Sequence, residues 1–378
     1  MGYDILVISR YNPNKRGGLE QVVRTQLFFF LRGDLKLGCL YRDSSIQKIQ
    51  LKNVDQFVIP DRISKFSGAL ADIIYSIPMY LKASTIPSRI ILDNFDFTCL
   101  LKFFNIFNKR KSTTIKVHHG TPNYLDSYTG LKGLVGRIYK LFLRRIYLFS
   151  SKVVDLNIAV SHKVKEELVK QYHFSPNKII VIRNAVDTNR FKPRNKILAR
   201  KRFGFPLSSK IILFVGGDLY RKNFFTALEY FMILKKHIPN LFFVVVTSER
   251  YKKKLESLKV EGLIILSNIS DNEMPYLYNA ADILLFTSKY EAAPLTLLES
   301  LSSGCPAVVS PNSAEKRFNG KGYLIAYNKE EFIKYCMKLL TDETYFETMQ
   351  RRARELVEKY YDIRRQEKKY LRIVNHFM

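Results

Sequence analysis

Two glutamates stand on either side of a proline in the segment KYEAAPLTLLESLSSG, residues 289–304. Proline is favoured in the first turn of a helix, so Pro294 predicts a helix that starts there. Glu291 would then lie in the preceding loop, and Glu299 would lie more than one turn inside the helix. Both carboxylates can face a ligand cleft. Spacing alone also fits a capping role for Glu291 and a solvated face for Glu299.

The start of this predicted helix is a binding feature in its own right. The backbone N–H groups of Leu295, Thr296 and Leu297 have no acceptor within the helix and lie at the positive end of its dipole. A diphosphate can bind at such a helix end without contacting any side chain.

A turn with two cations follows another predicted strand, where residues 216–223 read GGDLYRKN. Gly216 and Gly217 make the turn flexible, and Arg221 and Lys222 bring two positive charges to the start of the next helix. This combination suits a phosphate group. In a chain with 62 basic residues, ordinary surface charges are the alternative.

Paired glycines also join the first strand to its helix in NKRGGLE, residues 14–20. Gly17 and Gly18 allow a ligand to approach the backbone closely. The segment lacks the three-glycine dinucleotide fingerprint, and no acidic residue closes a second strand at the expected distance. The sequence therefore argues against an NAD-binding domain.

Two histidines, in the tetrapeptide HHGT at residues 118–121, follow the strand predicted at Thr114–Val117. The carboxyl end of a strand is where an open α/β sheet presents its ligands. Side chains alternate along a strand, so one histidine faces a ligand and the other faces packing. We expect His119 to face the ligand because Gly120 permits a turn beside it. A structural role for both histidines is the alternative.

The elements that must position these residues alternate in the manner of an α/β protein. Short β-rich runs and helical patterns begin with a strand at Tyr3–Ser9 and restart with a strand at Lys210–Val215. A polar stretch with little periodicity, Arg183–Pro193, lies between the two series. The pattern predicts two doubly wound units with mostly parallel sheets. Tyr360-Tyr361-Asp362 should interrupt the helical C-terminal region before a last basic helix.

The length of the chain agrees with two domains, since 378 residues exceed what one hydrophobic core usually organises. Four widely spaced cysteines predict reduced, buried thiols, and no apolar run reaches the length of a membrane span. We therefore expect a cytosolic chain. The formal net charge of +28 indicates attraction to nucleic acid, an acidic membrane or phosphorylated ligands, unless it reflects a general lysine-rich bias.

The segment 128–154 concentrates this charge among Leu, Ile, Phe and Tyr residues and contains no acidic residue. Its cations are Lys132, Arg137, Lys140, Arg144, Arg145 and Lys152. Basic amphipathic segments bind anionic membranes. An ordinary core helix with a solvated basic face is the alternative.

Five motifs taken together resemble the retaining, GT-B-fold family 4 glycosyltransferases, also described as glycosyl transferases group 1. They are GGLE at 17–20, HHGT at 118–121, NAVD at 184–187, RKN at 221–223 and EAAPLTLLE at 291–299. The similarity extends over nearly the whole chain, is strong in residues 180–310 and is looser in residues 30–110.

The resemblance implies an α/β fold with GT-B architecture, in which two Rossmann-like doubly wound domains face each other across a cleft. Residues 1–184, with a C-terminal helix at 362–378, would bind the acceptor. Residues 185–361 would bind the nucleotide-sugar donor.

The resemblance also implies roles for individual residues of the donor domain. Glu291 would contact the donor sugar and Glu299 the ribose. Lys222, with the helix end at Leu295 and Thr296, would bind the diphosphate. The remaining donor contacts would come from Gly216, Gly217, Asn268 and Ile269, the last two beside the nucleobase.

Other implied roles concern the reacting centre. Gly17 and Gly18 would border the donor phosphate and acceptor, and His119 would lie near the reacting atoms. Many family members carry an arginine where this chain has Gly217, and Arg221 is the candidate substitute.

The predicted function is transfer of a hexose-type sugar from a UDP- or GDP-sugar to a glycan or lipid-linked acceptor, with no metal and no cofactor. We expect a cytoplasmic protein that is peripheral on the inner face of a membrane and does not bind nucleic acid. The alternatives are a non-catalytic nucleotide-sugar-binding subunit and a basic nucleic-acid-binding protein. Neither alternative requires turnover that depends on Glu291.

Overall fold

A computed structural model describes residues 2–13, 15, 17–43, 53–61, 68–108, 112–127 and 130–378. The chain divides into two compact units. Unit 1 comprises Met1–Asn184 and Gln366–Met378, and unit 2 comprises Ala185–Arg365.

Unit 1 contains a seven-stranded sheet in the order β3-β2-β1-β4-β5-β6-β7, in which all described strand pairs are parallel. The strands are β1 (Tyr3–Tyr11), β2 (Leu37–Asp43), β3 (Val54–Pro60), β4 (Ser88–Asp93), β5 (Thr113–His118), β6 (Leu156–Ala159) and β7 (Ile179–Val181). The helices are α1 (Gly18–Arg32), α2 (Gly68–Thr85), α3 (Cys99–Asn108), α4 (Gly130–Val153) and α5 (His162–Tyr172).

Side chains along β1 point alternately to the two faces of the sheet of unit 1. Leu6 and Ile8 are buried in one apolar cluster with residues of α2, α3 and α4, so these three helices cover one face of the sheet. The C-terminal helix of the chain, Ile363–Phe377, packs on α1, where the Tyr370 ring lies 6.2 Å from both Phe29 and Phe30. The end of the chain thereby completes unit 1.

Unit 2 contains a six-stranded sheet in the order β10-β9-β8-β11-β12-β13, again with parallel pairs. The strands are β8 (Lys210–Val215), β9 (Leu241–Thr247), β10 (Leu263–Ser267), β11 (Ile283–Phe286), β12 (Ala307–Val309) and β13 (Tyr323–Ile325). The helices are α6 (Lys196–Arg202), α7 (Phe224–Lys235), α8 (Glu249–Glu256), α9 (Met274–Ala280), α10 (Leu295–Ser302), α11 (Lys329–Thr341) and α12 (Glu343–Tyr360), and the helix Ile363–Phe377 is α13.

The predicted rhythm of strands and helices is confirmed in both units. The predicted strand Lys210–Val215 matches β8 at both ends, and the strand predicted at Tyr3–Ser9 begins where β1 begins and ends two residues before it. The C-terminal region is helical and breaks after Tyr360, as predicted, and it also breaks at Asp342, whose side chain caps α12. The four cysteines are buried free thiols. Within the described ranges, no helix combines the length and apolarity needed to cross a bilayer.

Candidate active site

The strands of unit 2 bring two distant loops together. β8 and β11 are neighbours in the sheet and run parallel, so the loops after Val215 and Phe286 leave the same edge. The first loop carries Arg221 and Lys222, and the second carries Glu291. Residues some 70 positions apart in sequence therefore meet because of sheet order, as expected at the carboxyl edge of an open parallel sheet.

Both cations bind one carboxylate oxygen of Glu291. The distances to Glu291 Oε1 are 2.8 Å from Lys222 Nζ and 2.8 Å from Arg221 Nη1. Arg221 Nη1 also donates to the carbonyl of Tyr290 at 3.2 Å. We refer to Arg221, Lys222 and Glu291 as the charged triad. It carries one net positive charge when all three groups are ionised.

Hydrogen bonds to the backbone carbonyls of Arg221 and Lys222 join the two loops. The Lys289 N–H donates to the Arg221 carbonyl at 2.9 Å, and the Thr287 hydroxyl donates to the Lys222 carbonyl at 2.9 Å. The Lys222 ammonium also lies 4.6 Å from the centre of the Phe286 ring. The cations are therefore held by both loops, which is the preorganisation that a phosphate site requires.

Electrostatics keep Glu291 ionised. Burial alone would raise the pKa of Glu291, but Lys222 and Arg221 outweigh burial and lower it below its usual value. Burial lowers the pKa of Lys222 in spite of its attraction to Glu291, and the neighbouring Arg221 acts in the same direction as burial. Lys222 is buried, so it is not one of the ordinary surface charges of this basic chain.

Gly216 and Gly217 differ in what surrounds them. A Cβ atom at Gly216 would lie 2.7 Å from Cγ of Lys222, whereas a Cβ at Gly217 would meet nothing within 4 Å. The first glycine makes room for the Lys222 side chain. The second borders open space.

Helix α10 begins directly after Pro294, as the sequence predicts. The first intrahelical bond runs from the Leu298 N–H to the Pro294 carbonyl at 3.3 Å, so Leu295 and Thr296 lie in the turn whose N–H groups are free of such bonds. The N-cap residue, Pro294, makes no side-chain capping hydrogen bond. The Glu291 carboxylate contacts Arg221 and Lys222 of the charged triad.

Glu299 lies on a buried side of α10 rather than on a solvated face. Its Oε2 accepts a hydrogen bond from the Tyr278 hydroxyl at 2.9 Å. Burial and the Glu299 carboxylate raise the pKa of Tyr278 well above its usual value, so this phenol remains a donor. Tyr278 has no motif in the sequence that would have identified it.

Asn268 and Ile269 follow β10 at the same edge of the unit 2 sheet. Asn268 has φ of 56° and is exposed, with its side-chain amide donating to Glu249 at 3.1 Å. Ile269 is half-buried. The left-handed backbone at Asn268 turns the chain sharply where the strand ends.

The two histidines of unit 1 differ in burial. His118 is buried, with its ring 5.6 Å from Tyr147 and 5.3 Å from Phe174, and its Nε2 lies 2.9 Å from Asn157 Oδ1. His119 is only half-buried, and its Nε2 lies 2.7 Å from Asn94 Oδ1. Asn94 follows β4 directly, so the rule that ligands bind at strand ends would have identified it too.

His119 is a neutral imidazole at physiological pH. Burial lowers the pKa of His119 to about 3, and the positive charge of Lys116 adds to the effect. If Asn94 Oδ1 is the acceptor, Nε2 carries the proton and Nδ1 offers a lone pair. Such a group can accept a hydrogen bond from a hydroxyl.

Gly17 and Gly18 begin helix α1 of unit 1. Gly17 is its N-cap residue in extended backbone, and the Glu20 carboxylate occupies the space where a Gly17 Cβ would lie. A Cβ at Gly18 would meet nothing within 4 Å.

Among the residues that the structure describes, no three His, Cys, Asp or Glu side chains lie together as candidate metal ligands.

Two family models match the chain. The model described as "Glycosyl transferases group 1" matches residues 195–356, within unit 2. The model described as "Glycosyltransferase Family 4" matches residues 95–190, which lie almost entirely in unit 1. Together the two matches span about two thirds of the chain.

Individual proteins are similar over most of the chain. The UDP-Gal:alpha-D-GlcNAc-diphosphoundecaprenol alpha-1,3-galactosyltransferase of Escherichia coli is 25% identical over 348 residues, covering 84% of this chain and 89% of that enzyme. Sucrose-phosphate synthase of Thermosynechococcus elongatus superposes with a TM-score of 0.82 at 14% identity, covering 98% of each chain. HepE of Anabaena in complex with UDP-glucose superposes with a TM-score of 0.76 at 14% identity, covering 99% of this chain and 100% of that one. The structural similarities confirm the predicted fold.

Proposed function

Because the chain belongs to the group 1, family 4 glycosyltransferases and has their GT-B fold, we propose that it transfers a hexose-type sugar from a nucleotide-sugar to a glycan or lipid-linked acceptor. The proposed reaction retains the anomeric configuration and needs no metal. The charged triad is the observation that carries this proposal, because it places two cations and one carboxylate beside the start of α10.

The triad suits the charge that develops in the reaction. As the bond between the sugar C1 and the diphosphate oxygen breaks, negative charge grows on the leaving diphosphate. Lys222, Arg221 and the N–H groups of Leu295 and Thr296 would stabilise that charge more in the transition state than in the ground state. This role is one that a divalent metal plays in other transferases.

Glu291 would change partners when the donor binds. In the free protein its carboxylate accepts from both Arg221 and Lys222. A diphosphate competes for these cations, which would free the carboxylate to accept hydrogen bonds from the sugar hydroxyls. Glu291 thus positions the cations before binding and the sugar after it.

The remaining donor contacts are proposed from the same edge of the unit 2 sheet. Glu299 would bind the ribose, Asn268 and Ile269 the nucleobase, and Gly216 and Gly217 the phosphate side of the donor. The name of the E. coli relative specifies UDP-galactose, and the Anabaena structure holds UDP-glucose. These two names favour a UDP-sugar over a GDP-sugar here.

Unit 1 would bind the acceptor, with Gly17 and Gly18 near its phosphate side. The acceptor hydroxyl attacks C1 from the face that the diphosphate leaves. A new C1–O bond forms, and the hydroxyl proton passes to an oxygen of the leaving phosphate. We assign no general base. Neutral His119, held by Asn94, would position and polarise the acceptor.

The proposed location is cytoplasmic and peripheral, on the inner face of a membrane. The name of the E. coli relative includes a diphosphoundecaprenol-linked sugar as acceptor, which supports a lipid-linked acceptor for this chain. The segment 128–154 is the proposed contact. Tyr128 and Thr129 lie outside the described residues, and the rest of the segment begins at α4.

Calorimetric titration of UDP-, GDP-, ADP- and dTDP-sugars in the presence of EDTA tests the donor and the metal independence together. We expect a UDP-sugar to bind, and the anomeric configuration of the transferred sugar, read by NMR, to match that of the donor. Binding that requires Mg²⁺ or Mn²⁺, or a product of inverted configuration, would overturn the corresponding part of the proposal.

A further inference from the structure

The outward sides of two helices in unit 1 are apolar. The inward sides of α2 and α4 share one buried cluster with the sheet, through residues such as Met79 and Leu143. Their outward sides expose large apolar residues, which include Ile77 and Leu81 on α2 and Leu134, Ile138, Leu141 and Phe149 on α4. The solvent side of a helix that covers a sheet is ordinarily polar, so this surface is suited to a partner.

The exposed residues of α4 form one stripe. Leu134, Ile138 and Leu141 follow at spacings of four and three, so they project from the same side of the helix, within about a third of its circumference. Leu143 and Tyr147 are buried on the opposite side. α3 packs between α2 and α4 and exposes Phe103 on the same outer layer.

Positive charge accompanies the apolar stripe. Arg137, Arg144, Arg145 and Lys152 are exposed on α4, which contains no acidic residue. Within the described part of the chain, no acidic side chain forms an ion pair with any of these four. An apolar stripe with basic residues along it matches an anionic lipid surface, where acyl chains accept the stripe and headgroup phosphates the cations.

The same charges disfavour a second copy of this chain as the partner. A two-fold symmetric contact through α4 would bring the arginines of one copy against those of the other. Like charges brought together in an interface oppose association.

We propose that α2 and α4 form a docking surface for an anionic lipid bilayer, into which Ile77, Leu81, Ile138 and Leu141 insert while Arg144 and Arg145 bind headgroup phosphates. This inference extends the proposed contact from segment 128–154 to a second helix. It is independent of the transfer reaction, because the donor residues lie in unit 2.

Co-sedimentation with vesicles tests the surface directly. The vesicles contain either phosphatidylglycerol with phosphatidylcholine or phosphatidylcholine alone. The variants are Ile138→Glu with Leu141→Glu on α4, Ile77→Glu with Leu81→Glu on α2, and Arg144→Glu with Arg145→Glu. Leu198→Glu in unit 2 is the matched control, since Leu198 is 64% exposed and Leu141 is 65% exposed.

We expect the full chain to bind the anionic vesicles, and each of the three double variants to weaken binding about tenfold or more. Leu198→Glu should bind like the wild type. Circular dichroism and UDP-sugar calorimetry show whether each variant remains folded and binds donor, so loss of donor binding is a separate outcome.

Three results would overturn the proposal. The first is no preference for anionic over neutral vesicles. The second is retained binding in the α2 variant, which would restrict the contact to α4. The third is a dimer in sedimentation velocity that Leu141→Glu dissociates, which would assign the surface to a second copy.

Discussion

Lys222 shows why a residue's charge must be considered with its surroundings. It is one of 62 basic residues, yet it is buried and its ammonium group lies 2.8 Å from Glu291. Its proposed partner in the reaction is the leaving diphosphate.

Lys222→Gln removes this charge at nearly constant size. We expect kcat to fall by about 10²–10³-fold, the usual effect of losing one preorganised donor to a developing negative charge. Arg221 still pairs with Glu291 in this variant, so the fold should persist. Lys329→Gln on the surface of α11 is the matched control. A kcat within twofold of the wild type for Lys222→Gln would remove Lys222 from the mechanism.

The lowered pKa of His118 makes the stability of the folded chain depend on pH. Burial, reinforced by the charge of Lys116, lowers the pKa of His118 to about 3 from 6.5. Between these two values the unfolded chain binds a proton that the folded chain does not, so stability falls as the pH falls, by at most about 1.4 kcal/mol per pH unit.

His118→Phe should remove this contribution. Denaturant unfolding at pH 7.5, 6 and 5 measures the free energy of unfolding for both proteins. We expect the wild type to lose more stability than the variant between pH 7.5 and pH 5. Parallel pH profiles for the two proteins would show that His118 is protonated equally in the folded and unfolded states.

At the scale of elements, the loop after β8 offers a matched pair of glycines. Gly216→Ala would place a methyl group 2.7 Å from Cγ of Lys222, whereas Gly217→Ala would meet open space. We expect the first variant to displace Lys222 and lower kcat about tenfold or more, and the second to be milder, as measured with the same donor and acceptor. Equal effects of the two variants would contradict this account of Gly216.

The packing of the last helix, α13, on α1 can be tested separately. Tyr370 is buried between Phe29 and Phe30, and its hydroxyl accepts from the Gln26 amide at 3.0 Å. Tyr370→Ala should lower the free energy of unfolding by about 3–5 kcal/mol and Tyr370→Phe by about 1 kcal/mol. Calorimetric unfolding measures both. An alanine variant as stable as the wild type would mean that α13 is not part of the core of unit 1.

The elements also show how far the sequence could predict the structure. β8 is a strongly apolar run before a turn of two glycines, and its predicted limits, Lys210–Val215, agree with the structure. β2 and β3 were not predicted, because Arg42 and Asp43 in the first and Asp55 and Gln56 in the second interrupt the apolar pattern. β13, Tyr323–Ile325, was not predicted either.

The site residues likewise divide into those that sequence motifs identify and those that they do not. Motif spacing identified Glu291, Lys222 and Arg221 separately, but only the order of β8 and β11 in the sheet shows that they meet. Tyr278 was not identified, because its contact with Glu299 depends on how α9 packs beside α10. Local patterns predict elements and their ends, whereas pairings between distant loops depend on the tertiary fold.

At the scale of the whole molecule, the net charge of +28 has two proposed uses. The cations of the charged triad in unit 2 would bind the donor diphosphate. The cations of α4 in unit 1 would bind an anionic bilayer. Neither use requires a nucleic acid. Other basic residues form ion pairs within the chain, such as Arg42 with Asp72 and Arg200 with Asp282.

The measurement that tests the central claim most directly is transfer or slow hydrolysis of the bound nucleotide-sugar by Glu291→Gln. Glu229→Gln, a surface change that removes a contact to Lys329, is the control. We predict that Glu291→Gln stays folded and loses turnover by at least about 10²-fold, while the control keeps it. A Glu291→Gln protein with wild-type turnover would contradict the assignment of the charged triad as the active site.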